Sequence, residues 1–428
     1  MIVSTILFSG TEGGNTLNFG VTALFVCVAA ATALIEKRSF QLAPEVVLLI
    51  AWLCYSLLPS LSAPDIDLAF SRMVLMIQLI VITILSVNVM LWHGRTAIFA
   101  LIFCSSGVLA YVAGLAGFGF GVIDDSLLQE LNSEIRIVGT QGNANQFGMG
   151  CLLAQFAALF FAVQSENKYA RVAAGLIFAI LGVAILNTGS RTALGGMIFL
   201  VIGLIWVFRI WRIRYLGRAF VMIGILGIVG TGSYFMLDED GTIKTRIDDY
   251  VQNEYLMERY RYSFRLLGDF DDSDELTVGV DTPKLDSSDQ FRAQLMKNAW
   301  LAAIENPLGL GLDNYRVVSE MYAHSNYFEL LATTGFLGLG VYVAIYLYML
   351  GRVLVFERHH KKPEPLIRVY AICVLALMIT DIAHVSYGDK HHWLFIALAI
   401  ASFEFYSRTF SGRTVRSRQS PTLAYRPQ

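Results

Sequence analysis

His324, Ser325 and Asn326 stand directly ahead of an apolar run that begins at Tyr327. Neutral imidazole is the usual general base near pH 7. Asn326 and Glu329 lie close enough along the chain to orient it. Upstream, FRAQLMKNAW supplies Arg292 and Lys297, and NTGSRTALGG supplies Arg191. RIVGTQGNANQFG adds Arg136, Asn143 and Asn145 at the mouth of another apolar run. A guanidinium fork suits phosphate oxygens, and so do the free N–H groups of a helix N-terminus. Together these residues read as a base beside an anion clamp. The matching chemistry is attack by a hydroxyl on a carbon whose leaving group is a phosphate.

Each feature also has a purely structural reading. Asn and Gly at 141–145 suit a turn and a helix cap. Arg191 lies in a hairpin so short that its flanking apolar runs nearly fuse, and it reads either as an interfacial arginine reaching for headgroups or as a cation aimed into a cavity. Arg292 alone is an ordinary helix charge. Pro307-Leu-Gly-Leu-Gly looks like a phosphate loop but lacks the lysine and spacing of one. A lone histidine near an interface reads also as a hydrogen-bonded structural residue.

What positions these residues follows from composition. The chain has 428 residues, 55% hydrophobic and 15% charged, with mean hydropathy +0.56. Soluble domains carry roughly 25% charged residues. A spanning helix needs about 20 apolar residues. Eleven runs qualify, near 17–35, 42–60, 72–92, 97–117, 146–164, 172–189, 192–208, 219–237, 327–350, 367–386 and 391–408. Residues 1–16 complete a twelfth only if broken at TEGGN. The expected fold is all-α: a polytopic membrane protein of 11–12 transmembrane helices with one large helical extracytoplasmic loop. The five cysteines all fall within these runs, at no metal or redox spacing, and read as small core residues.

Basic residues orient the spans. Alternate connections and the C-terminal tail hold 19 of the 32 Lys and Arg residues, which makes that side cytoplasmic. The expected division is 1–237 for the N-terminal spans, 238–326 for the outer loop, 327–408 for the C-terminal spans and 409–428 for a cytoplasmic tail. The loop contains 18 acidic and 9 basic residues, a poor surface for nucleic acid. Inside it, Ile247, Tyr250, Val251, Tyr255 and Leu256 recur at helical spacing, as do Phe291, Leu295, Ala299 and Ala302, which stop before Pro307. The candidate residues all fall on the outer side.

The run RAQLMKNAWLAAIENPLGLGLDNY, followed by AHSNYFELLATTGFLGLGVY, resembles the signature region of the bacterial O-antigen ligase and polymerase superfamily. An arginine, a tryptophan, a P-x-G-x-G turn and His-x-Asn ahead of an apolar span occur in that order. TGSR and RIVGTQGNAN resemble the family's two upstream motifs. The resemblance implies a polytopic GT-C-type fold in the bacterial inner membrane with the C-terminus cytoplasmic. It implies a glycosyltransferase with an undecaprenyl-pyrophosphate-linked glycan as donor, no metal and no cofactor. Arg191 and Arg292 would neutralise the pyrophosphate. His324 would take the proton from the acceptor hydroxyl or hold that hydroxyl for attack, and the anomeric carbon would invert. Arg136, Asn143, Asn145, Lys297, Asn326 and Glu329 are the expected substrate-binding residues.

Two enzymes share these motifs and differ in acceptor. A ligase transfers a finished glycan to lipid A core or another acceptor; a polymerase joins lipid-linked repeat units. A transporter or flippase for a lipid-linked sugar is the alternative of another class. It calls for polar residues deep in several spans or for inverted repeats. Asp381 with His384, three apart in the tenth run, is the main such pair, and it reads best as a structural pairing. An intramembrane protease is excluded, since H-E-x-x-H and a paired aspartate motif are both missing.

Overall fold

The computed structural model describes residues 14–115, 143–207, 287–319, 321–359 and 365–418. The eighth run at 219–237, the helix expected around Ile247, Arg136 and residues 1–13 lie outside them. The described residues form twelve helices and no strand: α1 (Gly14–Ile35), α2 (Pro44–Leu61), α3 (Ile66–His93), α4 (Thr96–Leu115), α5 (Ala144–Gln164), α6 (Lys168–Thr188), α7 (Arg191–Val207), α8 (Ser287–Glu305), α9 (Tyr315–Ser319), α10 (Asn326–His359), α11 (Pro365–Thr380) and α12 (Lys390–Arg418). Six of these, α2 to α6 and α10, are long and apolar enough to cross a bilayer; α1, α7 and α11 contain shorter apolar stretches. The protein is all-α and polytopic.

α12 runs through the core. Trp393 to Ala401 are all buried, as expected of a helix hemmed in on every side. Phe395 meets Phe103 of α4 and Phe156 and Phe160 of α5, at centroid distances of 6.4, 5.3 and 6.0 Å. Small residues let the helices close up. A Cβ at Gly107 would come within 2.7 Å of Ala154, and one at Gly196 within 2.7 Å of Thr380. Leu34, Leu58, Phe70 and Ile202 turn outward, where lipid receives them. Cys104, Cys151 and Cys373 are buried, but Cys27 and Cys54 are exposed, contrary to the expectation of five core cysteines. Lipid is as apolar as the core, so hydropathy does not distinguish the two faces of a spanning helix.

The helix ends form two polar layers. In one, Arg352 bonds Glu45 and Glu404 at 2.6 Å each and lies over the Phe403 ring, tying α2, α10 and α12 together. Asn88 holds the backbone of Gln41, and Gln164 joins Thr96 to Ser402. The other layer carries the residues with chemistry. There, α3 starts at Ile66, six residues before the expected 72, because Asp65 caps it by accepting from Leu68 N–H at 2.9 Å. Arg72 therefore lies inside the helix. Its charge is met by Asp313, 241 residues away in sequence, at 2.7 Å.

Candidate functional site

Three connections meet in this second layer. The first is the hairpin between α6 and α7. Gly189 adopts the left-handed conformation that ends α6, and the Ser190 hydroxyl accepts from Ala193 N–H at 3.4 Å to start α7. Two residues thus reverse the chain, and Arg191 emerges exposed at the head of α7. Gly148 of α5 packs against this hairpin: a Cβ there would lie 2.9 Å from both Ser190 and Thr188. Asn143 caps α5, its side chain accepting from Asn145 N–H at 2.8 Å. The hairpin and the N-terminus of α5 are therefore neighbours.

The second connection joins α8 to α10. Leu295, Ala299 and Ala302 bury one face of α8, and Trp300 meets Phe336 of α10 edge-on at 5.8 Å. After Glu305 the Pro307–Gly311 turn lies on a break in α10. Leu310 and Gly311 donate to the Ala332 and Thr333 carbonyls at 2.9 Å, and Phe336 donates to that of Pro307 at 3.2 Å. The break is Gly335, at φ +68°, and it faces Gly309, at φ +99°. A side chain on either glycine would strike the opposite backbone. The P-x-G-x-G run is a docking joint rather than a phosphate loop. Beyond it, Asp313 accepts from Arg72 at 2.7 Å and Arg316 at 2.9 Å, and Arg72 also donates to the Tyr322 hydroxyl at 3.0 Å.

This joint delivers His324. The Glu329 carboxylate, fully buried, accepts from Ala323 N–H at 2.9 Å. Asn326 N–H donates to the Asp381 carbonyl at 2.8 Å. Held on both sides, His324 takes φ +55°, a left-handed conformation uncommon for a side chain of its size. The imidazole is half-buried. Burial, then the charges of Arg292 and His384, push its pKa below the ordinary 6.5, which keeps it neutral and able to accept a proton.

The third connection is the turn from Asp381 to Asp389. α11 ends at Thr380, so Asp381 and His384 lie in this turn and not on one helical face. They do not pair with each other as the sequence suggested. Asp381 is fully buried and accepts from Tyr346 at 2.9 Å, Tyr342 at 3.1 Å, Asn326 at 3.2 Å and Ser386 at 2.6 Å. His384 Nε2 instead meets Asp389 Oδ2 at 3.1 Å, with His391 at 3.8 Å from the same oxygen. Burial by itself would raise the Asp389 pKa, but the His384 hydrogen bond and the charges of His391, His384 and His392 hold it below the usual aspartate value.

Contacts link all three connections. Thr192 donates to the Ala383 carbonyl at 3.3 Å, bringing the Arg191 hairpin to the turn. Ser386 and Tyr387 N–H donate to Asn326 Oδ1 at 3.2 Å each, bringing the turn to His324. Arg292 acts on His324 through its charge. Lys297, half-buried further along α8, is not among the charges that bear on that imidazole. Asn326 and Glu329 are both fully buried and hydrogen-bond to protein backbone and side chains. Sequence reasoning missed Arg72, Asp313 and Asp389. Of these only Asp389 left a signal, the polar run GDKHH between two apolar runs.

These features define a polytopic helical membrane protein whose loops gather guanidiniums and imidazoles at one end of the bundle. The O-antigen ligase family model matches residues 176–343. The match takes in the Arg191 hairpin, Arg292, the glycine joint and His324, and ends within α10 before the turn from Asp381 to Asp389 begins. No curated protein matches the chain.

Proposed function

We propose that this protein is a membrane glycosyltransferase of the O-antigen ligase type. It moves a glycan from an undecaprenyl-pyrophosphate carrier to an acceptor hydroxyl on the periplasmic face of the inner membrane, with inversion and without a metal. The C-terminus is cytoplasmic in this reading. The observation that carries it is His324: a half-buried imidazole kept neutral beside Arg292, inside the O-antigen ligase family match.

His324 accepts the proton of the attacking hydroxyl as that oxygen bonds to the anomeric carbon. Arg191 and Arg292 hold the pyrophosphate whose bond to that carbon breaks. Fixed cations in a site that excludes water stabilise such a leaving group strongly, and a positioned base contributes typically ~10²–10⁴-fold. The lipid tail enters from the bilayer while the glycan stays in water, so the pyrophosphate belongs at the interface, where α7 begins with Arg191. Asn143 and Asn145 at the head of α5 bind the same donor. Lys297 of α8 and, by the motif it stands in, Arg136 are assigned to the same donor.

The test is transfer by purified protein given a lipid-pyrophosphate glycan and one of two acceptors. Glycan on lipid A core identifies a ligase. A ladder of products on the carrier lipid identifies a polymerase. Intact donor with both acceptors would overturn the assignment and favour transport of the lipid-linked sugar.

A further inference from the structure

The O-antigen ligase match ends before the turn from Asp381 to Asp389, yet that turn touches both the Arg191 hairpin and the start of α10 beside His324. It contacts the Arg191 hairpin through Ala383 and Thr192, and the His324 turn through Ser386, Tyr387 and Asn326. His384 lies one residue from the first contact and two from the second. Its place in the turn puts it close to both, and its charge acts on His324. Its Nε2 is 3.1 Å from Asp389 Oδ2. A carboxylate only accepts, so Nε2 carries the hydrogen and the ring's orientation is fixed.

On the glycosyl-transfer reading above, we propose that His384 is the proton donor to the departing pyrophosphate oxygen and that Asp389 is its positioning residue. The step balances. The acceptor oxygen forms its bond to the anomeric carbon and releases its proton to His324. The bond from that carbon to the pyrophosphate oxygen breaks, with its electron pair going to the oxygen, and the His384 imidazolium, its Nε2–H held by Asp389, supplies its Nδ1 proton there and becomes neutral. One proton is taken up and one given, so return of a proton from His324 to His384 resets the site.

The surroundings divide the two imidazoles between these roles. Burial and the Arg292 charge favour neutral His324, whereas His384 lies 3.1 Å from the Asp389 carboxylate. The charged and titratable groups acting around His384 are Asp389 on its own turn, His391 and His392 at the head of α12, and His324 on the α8–α10 connection. Lys390 adjoins Asp389, Arg292 of α8 acts on His324, and Arg191 of α7 is one residue from the Thr192 contact.

The experiment measures kcat and KM for the lipid-pyrophosphate donor across pH in wild type, His384→Gln, Asp389→Asn and Asp389→Glu. Each is first shown to elute from detergent as a single folded species. His384→Gln is expected to lower kcat about 10²-fold, with donor KM nearly unchanged. The fall in rate at high pH disappears and the rise set by His324 remains. Asp389→Asn lowers kcat less, and Asp389→Glu restores most of it. Wild-type kcat with both pH arms intact in His384→Gln would overturn the proposal. If His384→Gln does not fold, Asp389→Asn decides, because an unchanged profile there removes the positioning role and the proposal with it. Absence of transfer by wild type would count against the glycosyltransferase reading instead.

Discussion

The two ends of this bundle use buried charge differently. At the Arg352 end, one guanidinium lies between two carboxylates, and all three belong to helices. At the His324 end, two guanidiniums share the Asp313 carboxylate, and the buried polar groups hold irregular backbone: Asp313 holds the α8–α10 connection, Glu329 holds Ala323, and Asn326 holds the Asp381–Asp389 turn. The first arrangement joins helix to helix. The second fixes loops at the places where their side chains must meet. Function commonly resides in loops carried by a rigid scaffold, and the proposed site lies at the end where polar bonds hold loops.

The largest test of the contrast is His324→Ala. It is expected to lower transfer by ~10²–10⁴-fold while the unfolding temperature in detergent changes little. Arg352→Ala is expected to do the reverse. It leaves fully buried Glu45 without its partner and costs about 3–5 kcal/mol of stability. Thermal unfolding reads the loss, and transfer per folded molecule stays near wild type. Asp313→Asn falls between them. Weakening two ion pairs costs about 3 kcal/mol, and limited proteolysis should show faster cleavage between α8 and α10 together with weakened transfer. Smaller still is the backbone term at His324. His324→Gly should unfold about 1 kcal/mol less readily than His324→Ala, because glycine accepts φ +55°.

The pH dependence sharpens the same contrast. His324 accepts a proton only when neutral, so transfer rises with pH through its pKa. That pKa is held below 6.5, so the rising arm has its midpoint below 6.5. Arg292→Gln removes one of the charges responsible and should move the midpoint upward, in addition to weakening donor binding. Arg352→Ala, at the far end, should leave the midpoint where it was.

Much of the helical frame was legible in the sequence, because apolar length alone marks a spanning helix. The hairpin before Arg191 was legible as well, since Asn-Thr-Gly-Ser contains both a helix end and a helix start. The meaning of Pro307–Gly311 was not: its glycines answer to Gly335 across the chain, and no local pattern reports that approach. The start of α3 was misplaced for a related reason: the expected run begins at 72, but Asp65 caps the helix and Asp313, far along the chain, meets the Arg72 charge inside it. Asp381 and His384 had a helix-like spacing, but α11 ends first, and Asp381 turns to Tyr342, Tyr346 and Ser386 while His384 turns to Asp389. Long-range pairing sets each of these, and it becomes visible only when the helices are in place.

The most direct measurement is glycan transfer from a lipid-pyrophosphate donor by purified His324→Gly, a substitution compatible with the turn's left-handed backbone. The account predicts a protein that folds like wild type and transfers at least about 10²-fold more slowly. Transfer at the wild-type rate would contradict it, and His324 would then be a structural residue of the turn.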